Sequence, residues 1–216
     1  MRARLALAVS SVAYTLREVA LKNKPADMMA ASRKGTVPVL VLASGQVIDE
    51  SLDIMHWALD HNDPGGWLHH GSSGDMQALI CANDGPFKHA LDRYKYPNQY
   101  SDEYPPESSD DPHAFALAQR FEAARWLQTL EPQLSNGWLF GHQASLADMA
   151  CLPFIRQFAH TDKAWFASQR WPHLQAWLAA FEVSALFGNV MSKHAPWAEL
   201  AVERPTPAPA ANPLRD

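Results

Sequence analysis

The stretch from Lys34 to Ser51, KGTVPVLVLASGQVIDES, constrains the fold more than any other. Two apolar runs, PVLVL (38–42) and QVI (46–48), are separated only by Ala43-Ser44-Gly45. That spacing suits a β-hairpin, with glycine free to take the dihedral a tight connection demands. Pro38 enters the first run. A proline cannot donate to a sheet ladder, so this end of the strand belongs at an edge or a bend, and the neighbouring Val37 keeps N–H and C=O groups available to something extended. Ser51 then opens a helix through about Asp60, with Asp53 in its first turn, where the helix dipole favours a negative charge. Free N–H groups at a helix start suit a carboxylate, and the Ser51 hydroxyl adds a donor. Lys24 would neutralise a second carboxylate, so the corner suits a short, acidic, extended ligand. Each residue also has a plain structural reading: Ser51 as a helix cap, Pro38 as an edge proline and Glu50 as a solvated acid.

Upstream, Leu5, Ala8 and Val9 recur at the spacing of one helical face and predict a helix from Arg2 to about Ser11. Arg2 and Arg4 followed by LALAVSSVA also resemble the charged and apolar parts of a secretory signal, but the apolar stretch is short for that role, and the helix is preferred. Tyr14, Leu16 and Glu18 alternate against Thr15, Arg17 and Val19, which predicts a strand over 13–19. Pro25 suits the first turn of a second helix, PADMMAAS, and Gly35 lies in the loop that ends this region.

HNDPGGWLHHGSSG shifts the composition abruptly and marks a linker over 61–74, between a domain at 1–60 and one at 75–203. Strand periodicity is absent beyond it. A helix from near Asp75 is disturbed at Asn83–Pro86 and resumes from Phe87 to Tyr94, and YPNQYSDEYPPESSDDP reads as a polar loop. From His113, the residues Leu117, Phe121, Ala124, Leu127, Leu130 and Leu134 predict one buried helical face. Ser145-Leu-Ala-Asp148 is a capping box, Pro153 should kink the helix it starts, and a last helix runs from about Pro172 to Phe181. The end, 204–216, is rich in proline and alanine and reads as disordered.

A hydrophobic share of 47% with 19% charged residues indicates a globular chain, and no apolar run is long enough to cross a bilayer. The net charge of −5, without a basic stripe, disfavours nucleic acid as a partner. Only Cys81 and Cys151 are present, too few for a disulfide framework, which favours a reducing, cytoplasmic setting. Neither a Gly-rich phosphate loop nor a G-x-S-x-G elbow occurs. His56, His61, His69 and His70 cluster in sequence without a recognisable metal-ligand spacing, so no metal site is assigned. Phe87, Tyr94, Tyr96 and Trp126 are candidates to line an apolar pocket, although core packing is the expected role for at least half of them.

RARLAL, LREVALKNKP, KGTVPVLVL and IDESLDIMHWAL together resemble the glutathione-binding domain of glutathione transferases, most closely the omega-like bacterial group. RFEAARWLQTLEPQL and SLADMACLPFIRQFA are similar to the family's all-helical domain. The resemblance implies an α/β thioredoxin-like domain packed on an all-α domain, glutathione as co-substrate in a cleft between them, and a homodimer. It also assigns roles. The Val37 backbone would pair with the cysteinyl part of glutathione, Pro38 would be the cis-proline that presents it, Glu50 and Ser51 would hold the γ-glutamyl end, and Lys24 the glycyl carboxylate.

In the family, a first strand and a Cys-Pro-x-x or Ser-Pro-x-x element precede the first helix, and this sequence matches the family from just beyond it. No catalytic residue is therefore assigned, and both cysteines, which fall in the helical half, are expected to be small core residues. The expectation is that Met1 is an internal methionine, with the missing strand and motif encoded in frame upstream of its codon. Two functions remain open: an enzyme that conjugates glutathione to small electrophiles or reduces mixed disulfides, and a non-catalytic module of the same fold that binds glutathione or a protein partner.

Overall fold

A computed structural model describes residues 1–105 and 111–197; the expected disorder of 204–216 lies outside the described residues. The described residues divide into two compact units, Met1–Gly65 with 183–197, and Gly66–Glu182.

The first unit begins with α1 (Arg2–Ser10), α2 (Ala26–Ala31), β1 (Leu40–Val41), β2 (Val47–Ile48) and α3 (Ser51–His61). Helix α1 is rich in alanine and leucine, strong helix formers, and is buried on nearly every side, so it occupies the centre of this unit. It packs on α3, whose Ile54, Met55, Ala58 and Leu59 form a buried stripe at helical spacing. Ser11, at φ 55°, ends α1, and Asn62 Nδ2 donates to the Ser10 carbonyl at 2.9 Å, tying the ends of α1 and α3 together. Pro25 immediately precedes α2 rather than lying in its first turn.

The two predicted strands of the corner form, shorter than their apolar runs, as an antiparallel pair with Leu40 opposite Ile48 and Val41 opposite Val47. Leu42 N donates to Gln46 O at 2.8 Å and Gly45 N to Leu42 O at 2.9 Å, closing the turn with Gly45 at φ 84°. The predicted strand over 13–19 does not form. Its alternation survives as burial, with Tyr14, Leu16 and Glu18 half-buried and Ala13, Thr15 and Arg17 exposed. A strand, however, is a pairing and not a pattern: among the described residues the sheet holds β1 and β2 alone, and the backbone here meets Trp197 N at Glu18 O (2.8 Å) without forming a ladder.

The second unit comprises α4 (Ser73–Ala82), α5 (Lys88–Lys95), α6 (Pro112–Leu130), α7 (Leu146–Thr161), α8 (Lys163–Ser168) and α9 (Pro172–Glu182). Residues Asn83–Phe87 join α4 to α5 as a π-helical turn. This is the disturbance expected at Asn83–Pro86: Pro86 supplies no N–H, and a wider turn carries the helix past it. The polar stretch read as loop contains a 3₁₀ segment, Pro97–Glu103, held because Arg93 pairs with Glu103 and lies over the Tyr100 ring at 4.2 Å. The buried face of α6 is rotated from the predicted one. Phe115, Ala116, Ala123, Leu127 and Leu130 are buried, whereas Phe121 is 65% exposed. Helix α7 runs through Pro153, and both reciprocal bonds of its Ser145–Asp148 capping box are made. An aromatic cluster fills the core, with the Phe158 ring 5.8 Å from Phe87, 5.3 Å from Tyr94 and 5.9 Å from Trp165. The chain then returns to the first unit as α10 (Ala185–Val190), against α1. No described helix is long and apolar enough to cross a membrane.

Candidate functional site

The ladder pairs Leu40 with Ile48 and Val41 with Val47, so Val37 and Pro38, which lead into β1, and Glu50 and Ser51, which follow β2, flank the open end of the hairpin. The Val37–Pro38 peptide bond is cis. Val37 is 49% exposed, and neither its N–H nor its C=O is hydrogen-bonded among the described residues. Glu50 is the cap residue of α3 and Ser51 its first helical residue, so Ser51 is not the cap that the plain structural reading made it. No side chain caps α3, and the half-buried Ser51 hydroxyl has no partner among the described residues. Backbone N–H groups of the first turn of an eleven-residue helix therefore stand beside a free hydroxyl.

Three residues that the sequence did not single out hold the corner's charge. Ser32 Oγ donates to Asp49 Oδ2 at 2.7 Å, while Lys34 Nζ donates to Asp49 Oδ1 at 3.3 Å and to Glu50 Oε1 at 2.6 Å. The Ser32 hydroxyl, followed by the Lys34 ammonium, holds the Asp49 carboxyl below the usual carboxylate range, and its bonds to Glu50 and Asp49 raise the Lys34 pKa. Glu50 keeps its second oxygen without a partner among the described residues. Lys34 and Asp49 are fifteen residues apart, and only the α2-to-hairpin geometry joins them; the adjacent acids Asp49-Glu50 were the one local signal available.

Lys24 is exposed and makes no ion pair among the described residues. Gly35 places it. This glycine sits at φ +59°, and a Cβ built there would meet Lys24 Nζ at 3.4 Å and Met29 Sδ at 3.0 Å. The Lys24 ammonium therefore lies over the loop that carries Lys34. All five predicted positions belong to the first unit, and with Lys34 and Asp49 they supply two ammonium groups, two carboxylates, a helix start and the exposed backbone of Val37. Such a set suits a zwitterionic peptide, with one ammonium and more than one carboxylate.

Other predicted candidates fall elsewhere. Phe87 is buried with the Trp126 ring tilted against it at 4.7 Å, Tyr96 is exposed with Lys95 Nζ 4.8 Å from its ring, and Tyr94 lines a cavity. Cys151 is a core residue as expected. Cys81 is not: it is exposed on α4, and its sulfur accepts from Gln77 Nε2 at 3.2 Å. His61 Nδ1 lies 2.7 Å from the Trp57 carbonyl oxygen and His70 Nδ1 2.9 Å from that of Ala144, each ring engaged on its own backbone partner.

Residues 1–61 match the family model of the glutathione S-transferase N-terminal domain, and residues 103–184 that of the glutathione S-transferase C-terminal domain. No curated protein matches the chain. Among solved structures, it is similar to a glutathione transferase family member from Pseudomonas fluorescens Pf-5 with two glutathione molecules bound (18% identity, 88% of this chain and 86% of that one, TM-score 0.68). A glutathione S-transferase from Rhodospirillum rubrum F11 gives 18% identity, 90% and 87% coverage and a TM-score of 0.68. A glutathione transferase homologue from Sulfitobacter with bound glutathione gives 16% identity, 88% and 90% coverage and a TM-score of 0.67. At these identities the likeness is one of fold.

Proposed function

The chain belongs to the glutathione S-transferase family, and we propose that it holds glutathione at the corner formed by Lys24, Val37, Pro38, Glu50 and Ser51 for attack of its sulfur on a small electrophile or a mixed disulfide. One observation carries this reading: the Val37 backbone at the cis bond is exposed and unpaired among the described residues, and Glu50 at the start of α3 keeps an oxygen free beside its bond to Lys34. Val37 would pair with the cysteinyl amide, as an added strand pairs with a sheet edge. The free oxygen of Glu50 would take the γ-glutamyl ammonium, while the Ser51 hydroxyl and the N–H groups opening α3 take the adjacent carboxylate. Lys24 would take the glycyl carboxylate.

Held this way, glutathione presents its sulfur as the nucleophile. The thiolate is the reactive form, so the chemistry is loss of the thiol proton, followed by attack on an electrophilic carbon with departure of its leaving group, or on a disulfide sulfur with release of the other thiolate. The resemblance in the corner motifs supports the omega-like bacterial group and a homodimer, and two free thiols suit a reducing cytoplasm. The alternative, a non-catalytic glutathione-binding module, is favoured by one observation: both cysteines lie in the second unit, Cys81 exposed and Cys151 buried, and none of the five corner residues is a cysteine.

The test is calorimetric titration with glutathione, alongside turnover of an aryl halide and of a glutathione mixed disulfide. Ser51→Ala should weaken glutathione binding by about 1–2 kcal/mol through loss of a charge-assisted hydrogen bond. Unchanged affinity removes Ser51 from the site, and binding without either turnover favours the module.

A further inference from the structure

Lys34 joins two carboxylates that are held very differently. Its Nζ donates to Glu50 Oε1 at 2.6 Å and to Asp49 Oδ1 at 3.3 Å. Asp49 is fixed through its other oxygen by Ser32 Oγ at 2.7 Å, and its side chain is 28% exposed. The Glu50 side chain is 60% exposed, and its second oxygen has no partner among the described residues. The lysine thus spans an anchored acid and an open one. Its shorter bond goes to the open acid, while the 3.3 Å bond exceeds the 2.7–2.9 Å typical of a charge-assisted pair.

A primary ammonium carries three N–H donors, whether it ends a lysine or marks the α-position of a γ-glutamyl group. On Glu50 the two are therefore rivals with the same chemistry. A site built to pair with a ligand's charged group rejects analogues lacking that group, because its own acceptor is then left without a partner. Here Lys34 already covers the acceptor. Half-exposed on a flexible four-carbon stem, it can also withdraw onto Asp49 alone when a ligand's ammonium arrives, since Ser32 keeps Asp49 in place. The bonds to Glu50 and Asp49 raise the Lys34 pKa, so the lysine stays charged at neutral pH and remains in this exchange.

Given glutathione at the corner, on which this inference rests, we propose that Lys34 sets the corner's specificity: its ammonium stands in on Glu50 for the α-ammonium of the γ-glutamyl group. The substrate class then widens to acyl-cysteinyl-glycine peptides that keep the carboxylate at that end of glutathione but lack its amine. In either peptide the carboxylate goes to the Ser51 hydroxyl and the N–H groups opening α3. Lys34, Asp49 and Glu50 together carry one net negative charge, enough to receive an ammonium and not enough to require one.

The experiment titrates the full chain by calorimetry with glutathione and with glutaryl-cysteinyl-glycine, which is glutathione without the α-amine, at low ionic strength, where exposed pairs are least screened. The wild type should bind the two within about threefold of each other. Lys34→Met uncovers Asp49 and Glu50, so glutathione should tighten and the glutaryl peptide weaken, and their ratio should rise to about tenfold or more. Asp49→Asn keeps an acceptor for Ser32 but removes the lysine's retreat and one negative charge, so glutathione should weaken by about threefold or more with the glutaryl peptide no weaker than before. A wild-type preference for glutathione of about tenfold or more that Lys34→Met leaves unaltered would overturn the proposal. Weaker glutathione binding in Lys34→Met would overturn it too, as the mark of a lysine that only props Glu50. Both of those results leave glutathione at the corner, whereas a wild type that binds neither peptide would remove glutathione from the corner and the exchange on Glu50 with it.

Discussion

Each unit keeps an aspartate beside a serine, and the two pairs do opposite work. In the first unit, Asp49 takes the Ser32 hydroxyl and the Lys34 ammonium at the half-exposed edge of a hairpin whose strands are two residues long. In the second, Asp148 is fully buried and accepts from Leu139 N (3.0 Å), Ser145 N (2.8 Å) and Ser145 Oγ (2.6 Å). One carboxylate arranges charge where a ligand can reach it; the other fastens a helix start inside an aromatic core. Val37, Val41 and Val47 are exposed around the hairpin, whereas Phe87, Phe158 and Leu127 are 1% exposed or less. The proposed corner therefore lies beside a thinly covered hairpin, whereas the rings of the second unit are packed away from solvent.

The strongest way to break this comparison is Asp148→Ala. It leaves three buried donors without their acceptor, each worth about 1–3 kcal/mol, so the second unit should lose roughly 3 kcal/mol or more. Denaturant unfolding followed by tryptophan fluorescence measures the loss, and amide exchange should quicken over 139–161 while the α1 and α3 amides keep their protection. A loss under 1 kcal/mol would show that the core does not depend on this fastening.

Gly35→Ala probes the first unit at smaller cost. At φ +59° an alanine is disfavoured by about 1 kcal/mol, and the Met29 sulfur 3.0 Å from the new Cβ belongs to the end of a flexible side chain that can move aside. A thermal midpoint lowered without loss of Asp148-dependent protection is the expected outcome. The new Cβ meets Lys24 Nζ at 3.4 Å, an ordinary contact that leaves the ammonium in place, so glutathione affinity should fall less than in Lys24→Ala; an equal fall would mean that the loop and not the Lys24 ammonium holds the ligand.

What the sequence disclosed, and what it hid, follows the same division. The α7 capping box, the Gly45 turn and the start of α3 were legible because each is set by residues within a few positions of one another. The strand over 13–19 was misread because its alternation of burial is local but a ladder requires a distant partner. Phe121 was assigned to the core because it fits the helical spacing of α6, yet the neighbouring helices cover the face of Ala116 and Ala123. Lys34 went unnoticed in a loop of ordinary composition, since its two carboxylate partners meet it only after the hairpin has turned. Long-range charge placement was the hidden part, and it is what the candidate site is made of.

The finest test sets the two aspartates against each other in pH. Hydrogen bonds from Ser32 and Lys34 depress the Asp49 pKa in the folded chain, so its contribution is present above the unfolded value and lost as pH falls through the folded one. Burial raises the Asp148 pKa, with its hydrogen bonds opposing, so its contribution is full below the unfolded value and lost as pH rises through the folded one. The difference in stability between wild type and Asp49→Asn should therefore shrink on acidification from pH 7 toward pH 3, while that between wild type and Asp148→Asn should move in favour of the wild type over the same range. Parallel slopes in the two series would mean that burial does not govern Asp148, and the contrast between a half-exposed carboxylate that arranges charge and a buried one that fastens structure would fail at its most direct point.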